Sequence, residues 1–240
     1  MRGWWRDGSL ALAMSPPQIS QAPDVHAGGP PPTARQLLRE LADVAAAVPW
    51  FAGAPLLRSW HRRWGATRAE VAASMPGDDL VPGCQYSATR AITIGAPPAA
   101  VWSWLVQAGF GKAGFYSNDL LDNAGHPSAD HLIAGLQGPR VGDWVPMFTK
   151  VNDRTAFKVA AVEPRRQLLW SKPDSTWAWR LTPVAGGTRL VTRLRHRYRR
   201  ERRGDALLSL LLNEFGDFPM MRKMLLTLKH RAEGPQPRAM

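Results

Sequence analysis

Residues 89–118, TRAITIGAPPAAVWSWLVQAGFGKAGFYSN, hold the transition that decides the fold. Ala91 and Thr93 alternate with Ile92 and Ile94, the period-two pattern of a half-buried strand, and Gly95-Ala96-Pro97-Pro98 breaks it. Pro98 suits the first position of a following helix, where Val101, Trp102, Leu105 and Val106 make one apolar face and Gly109 is placed to cap the end. A glycine-rich link, FGKAG, then leads to a short helical segment, SNDLLDNAG, with Ser117 as its expected N-cap and Gly125 as its stop.

Downstream, five segments carry strand signals: 141–147, 155–164, 166–171, 175–184 and 188–200. The turns between the last four are too short for parallel crossovers, so the strands form an antiparallel meander. The meander ends in a long helical stretch, Asp205 to Glu233, which Pro219 is expected to kink.

Upstream, Ser15 to Thr33 contains six prolines and two glycines and little that can join a core, so residues 1–33 are predicted to be a disordered tail. Residues 34–85 read as a helical extension packed outside the main domain. It opens at a possible N-cap, Thr33, with Leu37, Leu38, Leu41, Val44, Ala45 and Val48 at helical spacing until Pro49, and holds a second pattern, TRAEVAASM, before Pro76-Gly77. Residues 86–233 make the main domain, and 234–240 a disordered C-terminus.

The stretch from Thr89 to Asn118 resembles the opening of the START-like, helix-grip superfamily, often labelled polyketide cyclase/dehydrase and lipid transport, and in particular an actinobacterial-type branch. The resemblance rests on Ala96, Pro97, Val101, Trp102, Trp104, Leu105, Gln107, Gly114 to Ser117, Asp119, Leu121 and Asn123. Val141-Gly142-Asp143, Val162-Glu163-Pro164 and the pair Arg222 and Met224-Leu225 extend it. It implies an α+β fold in which a curved antiparallel sheet wraps around the long C-terminal helix, leaving a hydrophobic cavity between the two. It also implies a protein that binds a lipid or other apolar small molecule there. A minority of such proteins catalyse cyclisation or dehydration, so a polyketide cyclase/dehydratase-like enzyme is the alternative reading.

Composition limits the other classes. The 240 residues include 31 Lys plus Arg against 19 Asp plus Glu, a net charge of +12, with 45% hydrophobic residues. One cysteine, Cys84, leaves no intramolecular disulfide or C-x-x-C site. No apolar run approaches the ~20 residues of a membrane span, and the N-terminal apolar stretch is too short for a signal peptide. These features read as a cytoplasmic protein. No P-loop, dinucleotide fingerprint, serine-nucleophile elbow or nucleic-acid reading motif occurs. Neither a cofactor nor a metal is called for, because His126, Asp130 and His131 lack a fourth ligand.

Strand alternation sorts the remaining candidates. In residues 188–200, Leu190, Thr192, Leu194, His196 and Tyr198 share the face toward the helix, while Arg189, Arg193, Arg195, Arg197 and Arg199 share the face expected to meet solvent. Trp177 and Trp179 point inward on the preceding strand. Candidate ligand contacts are Trp104, Phe115, Tyr116, Asp119, Trp177, Trp179, Thr192 and His196, although core packing explains any one tryptophan at least as well. Catalysis would fall to His126 with Asp122 or Asp130, or to Tyr116, because a His oriented by a carboxylate works as a general base. The third reading is an interaction module. Arg193 to Arg203 holds seven arginines, and Arg193, Arg195, Arg197 and Arg199 could dock on an anionic surface, a peripheral contact with a membrane included.

Overall fold

The computed structural model describes residues 32–53, 57–198 and 216–235, with the side chains of 47, 48 and 50–53 excepted. The predicted tail before residue 32, residues 236–240, Arg199 and the predicted helical residues 205–215 lie outside this set.

Helix α1 spans Ala34–Gly53. Thr33 and Gln36 form a reciprocal capping box at its start: Gln36 N–H donates to Thr33 Oγ1 at 3.3 Å and Thr33 N–H to Gln36 Oε1 at 2.7 Å. Pro49 does not end the helix as expected. It lies inside the last turns, so the helix forgoes one ladder bond there and continues. Two short helices follow, α2 (Arg58–His61) and α3 (Arg68–Ala72), the latter opened by a Thr67/Glu70 capping box.

Strand β1 (Tyr86–Ile94) leads into α4 (Pro98–Val106), with Pro98 in the first turn as its fixed φ favours. Gln107, not Gly109, closes α4. Gly109 instead bridges Gly114 across the glycine-rich link. Asn118 rather than Ser117 holds the N-cap position of helix α5 (Asp119–Asp122), with no side-chain cap bond, and Gly125 N–H returns to Asp119 O at 2.7 Å with φ 81° to end it.

The remaining strands are β2 (Trp144–Pro146), β3 (Ala156–Glu163), β4 (Gln167–Lys172), β5 (Ser175–Val184) and β6 (Gly187–His196). They build one six-stranded antiparallel sheet in the order β1-β6-β5-β4-β3-β2. A bulge at Val159/Ala161 adds local bend to the sheet. Helix α6 (Asp217–Glu233) lies along its concave face, with Pro219 tolerated in the first turn and no break after it.

The concave face and α6 share the main core. Leu225 and Leu228 of α6, Trp104 and Leu105 of α4, and Leu168, Trp170, Trp179 and Leu190 of the sheet are all at most 1% exposed. Each such side chain contributes about 1.5–3 kcal/mol by leaving water.

The convex face corrects the expectation that it meets solvent. Residues 62–80 lie across it, and Met75 completes a second buried cluster with Ala91, Leu169, Ala178 and Val191. Arg193 is 5% exposed, and its five guanidinium N–H groups all donate: to Thr89 Oγ1, Ala73 O, Asp78 Oδ2, Glu70 O and Val71 O, at 2.6–3.1 Å. Arg189 clamps Glu70 at 2.7 Å, and Arg180 reaches Ser74 O at 2.8 Å. Arg195 is half-buried, with Asp78 at 3.8 Å. The physical reason is donor number. A guanidinium matches the unsatisfied carbonyls at the C-terminal end of α3, so a row that looks solvated in one dimension binds a covering segment in three.

Gly65 makes that cover possible. A Cβ there would sit 2.0 Å from Ala91 O, and its φ of 72° suits glycine. The close approach lets Thr89 N–H and Ala91 N–H donate to Arg62 O and Trp64 O at 2.8 and 3.1 Å.

Candidate functional site

Near its N-terminal end helix α6 faces the sheet across aromatic and methionine side chains. The result is a cavity of about 390 Å³. Phe157, Trp177 and Leu194 form the sheet wall, Met220, Met221 and Met224 the helix wall, and Phe115 and Leu121 close the side toward α5. Methionine at positions 220, 221 and 224 gives this wall a soft, adaptable surface. The indole of Trp177 is held by a hydrogen bond from Nε1 to Thr192 Oγ1 at 3.0 Å and by rings of Trp170, Trp179, Phe157 and Phe115 around it.

Polar groups enter this apolar space at separate places. On the sheet side are Arg154, Lys172, Ser175 and His196. Ser175 Oγ bonds His196 Nδ1 and also contacts Asp174 Oδ1 at 3.2 Å, while Lys172 Nζ lies 3.3 Å from Asp174. At the helix start Asp217 lines the cavity, but its carboxylate is already engaged. Arg90 sits 2.6 Å away and Tyr86 donates its hydroxyl at 2.6 Å, with Arg90 also donating to His61 O. This buried trio fixes the first turn of α6 to β1, and burial beside Asp217 pushes the Tyr86 phenol above its ordinary range.

Toward α5 the cavity meets Ser117 and Asp122. Both Asp122 carboxyl oxygens are buried, with Ser117 beside them. Burial, with Asp119 and Glu40 nearby, pushes its pKa up to about 8; Ser117 and Lys223 offset this only in part.

The sequence candidates divide accordingly. Phe115, Trp177 and His196 line the cavity, as does Asp122. Trp104 and Trp179 are core residues, 1% and 0% exposed, away from the cavity lining, and Thr192 serves Trp177 from behind. Tyr116 is buried with φ 58°; its hydroxyl donates to Trp104 O at 3.1 Å and accepts from Gln107 at 2.9 Å, and burial raises its pKa. Asp119 holds Ser128 by two bonds at 2.5 and 2.9 Å, which fastens the loop after α5.

The candidate catalytic pair is not assembled: among the described residues no hydrogen bond joins His126 to Asp122 or Asp130. His131 instead pairs with Asp130 at 3.0 Å in the open. Of the arginines offered to an anionic surface, Arg193 is buried, Arg195 is half-buried, and Arg197 is exposed.

Sequence reasoning missed Lys172, Arg154, Ser175 and the methionines. The spacing of Met220, Met221 and Met224 along one helical stretch was a usable signal. The polar residues gave none, because their convergence depends on the β2–β3 and β4–β5 turns.

Two larger depressions carry charged groups at their walls. One of about 480 Å³ lies between α1 and α6, lined by Asp43, Arg222, Lys223 and His230 among others. The other, about 630 Å³, lies between α2 and the convex face beside Arg58, Arg62, Arg63 and Arg195. Among the described residues no group of His, Cys, Asp and Glu is arranged to hold a metal, and no helix is long and apolar enough to cross a membrane.

The strand order, with α4 and α5 inserted between β1 and β2 and α6 gripped by the concave face, defines a START-like helix-grip fold of the α+β class. No family model and no curated protein matches the chain. Among solved structures it is similar to a polyketide-cyclase-like protein of Corynebacterium glutamicum (18% identity, 62% of this chain and 91% of that one, TM-score 0.40). A protein of Mesorhizobium loti matches at 18% identity over 61% of this chain and 96% of that one, with a TM-score of 0.36. The Aha1 dimer of Colwellia psychrerythraea matches at 16% identity over 62% and 97%, with a TM-score of 0.37.

Proposed function

We propose that the protein binds a hydrophobic small molecule in the cavity between the sheet and α6. The observation that carries this reading is the composition of that cavity: about 390 Å³ walled by Phe115, Phe157, Trp177, Leu194 and four methionines, with the polar groups set around this apolar surface. Ligand sites are concave, mostly apolar and equipped with a small number of placed polar groups. Removing a ligand's apolar surface from water there would gain about 25 cal/mol per Å².

The catalytic alternative finds less support, because the His126 pairs expected from sequence do not form. Docking on an anionic membrane would fall to Arg197 and residues beyond it rather than to Arg193, whose donors are all in use.

The full chain, purified without detergent, should carry a co-purifying apolar compound in native mass spectrometry, or take up 1-anilinonaphthalene-8-sulfonate (ANS) with enhanced fluorescence. Trp177→Ala should weaken ANS uptake roughly tenfold. A parent protein that carries nothing and leaves the dye unbound would remove the reading.

A further inference from the structure

We infer that the cavity selects a single-chain carboxylate, with its hydrocarbon tail among the rings and methionines and its head held at the mouth by Arg154 beside Lys172. This rests on the binding reading above and names the chemical class of ligand for the same site.

The placement of the two cations comes first. Strand alternation puts Lys172 on the same face of β4 as Trp170, the concave face, and it lines the cavity together with Arg154. Its ammonium lies 5.5 Å from the centre of the Phe157 ring, a cavity wall. It also donates to Arg154 O at 3.3 Å, which ties the turn before β3 to the end of β4. Both cations therefore stand at one border of the cavity. Lys172 is half-buried there, whereas Arg154 is exposed. A group that lines the cavity and still meets water marks its mouth, where the head of a ligand keeps part of its hydration and its charge never enters the apolar interior.

The charges around the cavity leave one cation unanswered. Asp217 is held by Arg90 and Tyr86, each at 2.6 Å. Lys172 has Asp174 at 3.3 Å. The Asp122 oxygens are buried near Ser117 and Lys223, closed to solvent. Arg154 differs. Its backbone N–H donates to Asn152 Oδ1 at 2.8 Å, but its guanidinium meets neither a carboxylate nor a carbonyl among the described residues.

That residual charge narrows the head group. A guanidinium is a planar fork that matches a carboxylate through two parallel hydrogen bonds. An ammonium head would be repelled by Arg154 and Lys172 together. A neutral alcohol would take one weaker bond. A phosphate monoester brings a second negative charge, which Asp174 beside Lys172 opposes. The tail then lies against Phe157, Trp177, Leu194 and the methionines of α6, whose flexible thioethers accept a chain of no fixed shape.

The test titrates the full chain by isothermal calorimetry with four probes of equal chain length, octanoate, 1-octanol, octyl phosphate and octyltrimethylammonium, at low and at high salt. At low salt octanoate should bind roughly tenfold tighter than 1-octanol, with the ammonium probe weakest and octyl phosphate no tighter than octanoate. High salt should erode the lead of octanoate, because the contact stands in water at the mouth. Arg154→Gln should remove that lead and leave the affinity for 1-octanol within about twofold, which also shows that the cavity has survived. Arg154→Lys should restore part of it.

Equal affinity for octanoate and 1-octanol in the parent, a lead that persists in Arg154→Gln or at high salt, or a preference for either of the other two probes would overturn the assignment and leave the binding reading standing. Should Arg154→Gln lose 1-octanol as well, the salt dependence in the parent decides. A parent protein that binds none of the four would overturn both.

Discussion

On the concave face of the sheet, Trp170, Trp177 and Trp179 meet α6 through rings and hydrocarbon; on the convex face, Arg180, Arg189 and Arg193 meet residues 62–80 through guanidinium and carbonyl. Both faces are covered, yet by different forces. The concave contact is non-directional and tolerates a gap, which becomes the cavity. The convex contact is counted out in hydrogen bonds and leaves Arg193 no spare donor. A face that must admit a ligand is built from the adaptable interaction, and a face that must only stay shut from the exacting one.

Substitutions can break this contrast. The largest expected effect is on the concave side. Trp179→Ala should cost about 3–5 kcal/mol in denaturant unfolding, because the residue is fully buried core rather than cavity wall. A cost below 1 kcal/mol would show that the side chain has room around it, as a ligand contact would.

On the convex side, Arg193→Gln leaves the carbonyls at the end of α3 without their donor and Asp78 with only the Met75 N–H at 2.9 Å and the more distant Arg195, and should cost about 2–4 kcal/mol. Loss of vesicle binding without loss of stability would return Arg193 to the role of a surface group.

Glu70→Gln sharpens the comparison through pH. The Arg189 side chain, with the Thr67 cap, lowers the Glu70 carboxyl from its ordinary 4.5 to about 2. Its contribution is therefore fully present above about pH 4.5 and is lost as the pH falls through 2. The parent should exceed the variant by about 1 kcal/mol at pH 7, and the two should converge near pH 2; a gap that stays constant with pH would mean that the pair is not electrostatic. The smallest effect belongs to Arg197→Gln, which should change stability by less than about 0.5 kcal/mol, as equilibrium unfolding will show.

Much of the concave side was legible in sequence. The alternation of Trp177 and Trp179 with Ala178 and Arg180, and of Leu190 and Thr192 with Arg189 and Val191, predicted which side chains turn toward the helix, and the pairing register agrees. The same alternation misread the convex side. Period two reports which residues share a face but not whether something lies on that face, and arginine is compatible with water and with a bed of carbonyls alike. The matching acids, Glu70 and Asp78, stood in the extension over a hundred residues from Arg189 and Arg193. Asp122 was named as a catalytic candidate for its neighbourhood of histidines and aspartates. Its actual setting, with the carboxyl buried near Glu40 of α1 and Lys223 of α6, depends on tertiary contacts that no local pattern encodes.

The backbone hydrogen bonds from Thr89 and Ala91 to the chain at Arg62 and Trp64 bear on how copies of this protein meet. Lys229 Nζ takes the Thr93 carbonyl at 3.0 Å, so three successive outward-facing positions of β1 are occupied. A terminal strand with open amides invites a neighbour to add its own strand, the route by which sheets fuse into chains of molecules. Here that route is blocked along the middle of β1. The opposite border, β2, has only three residues, Trp144–Pro146, and ends in a proline that cannot donate. Self-association by sheet extension is thus discouraged at both borders, by a covering segment at one and by shortness at the other, and a nearly complete strand such as β1 can remain apolar without becoming adhesive.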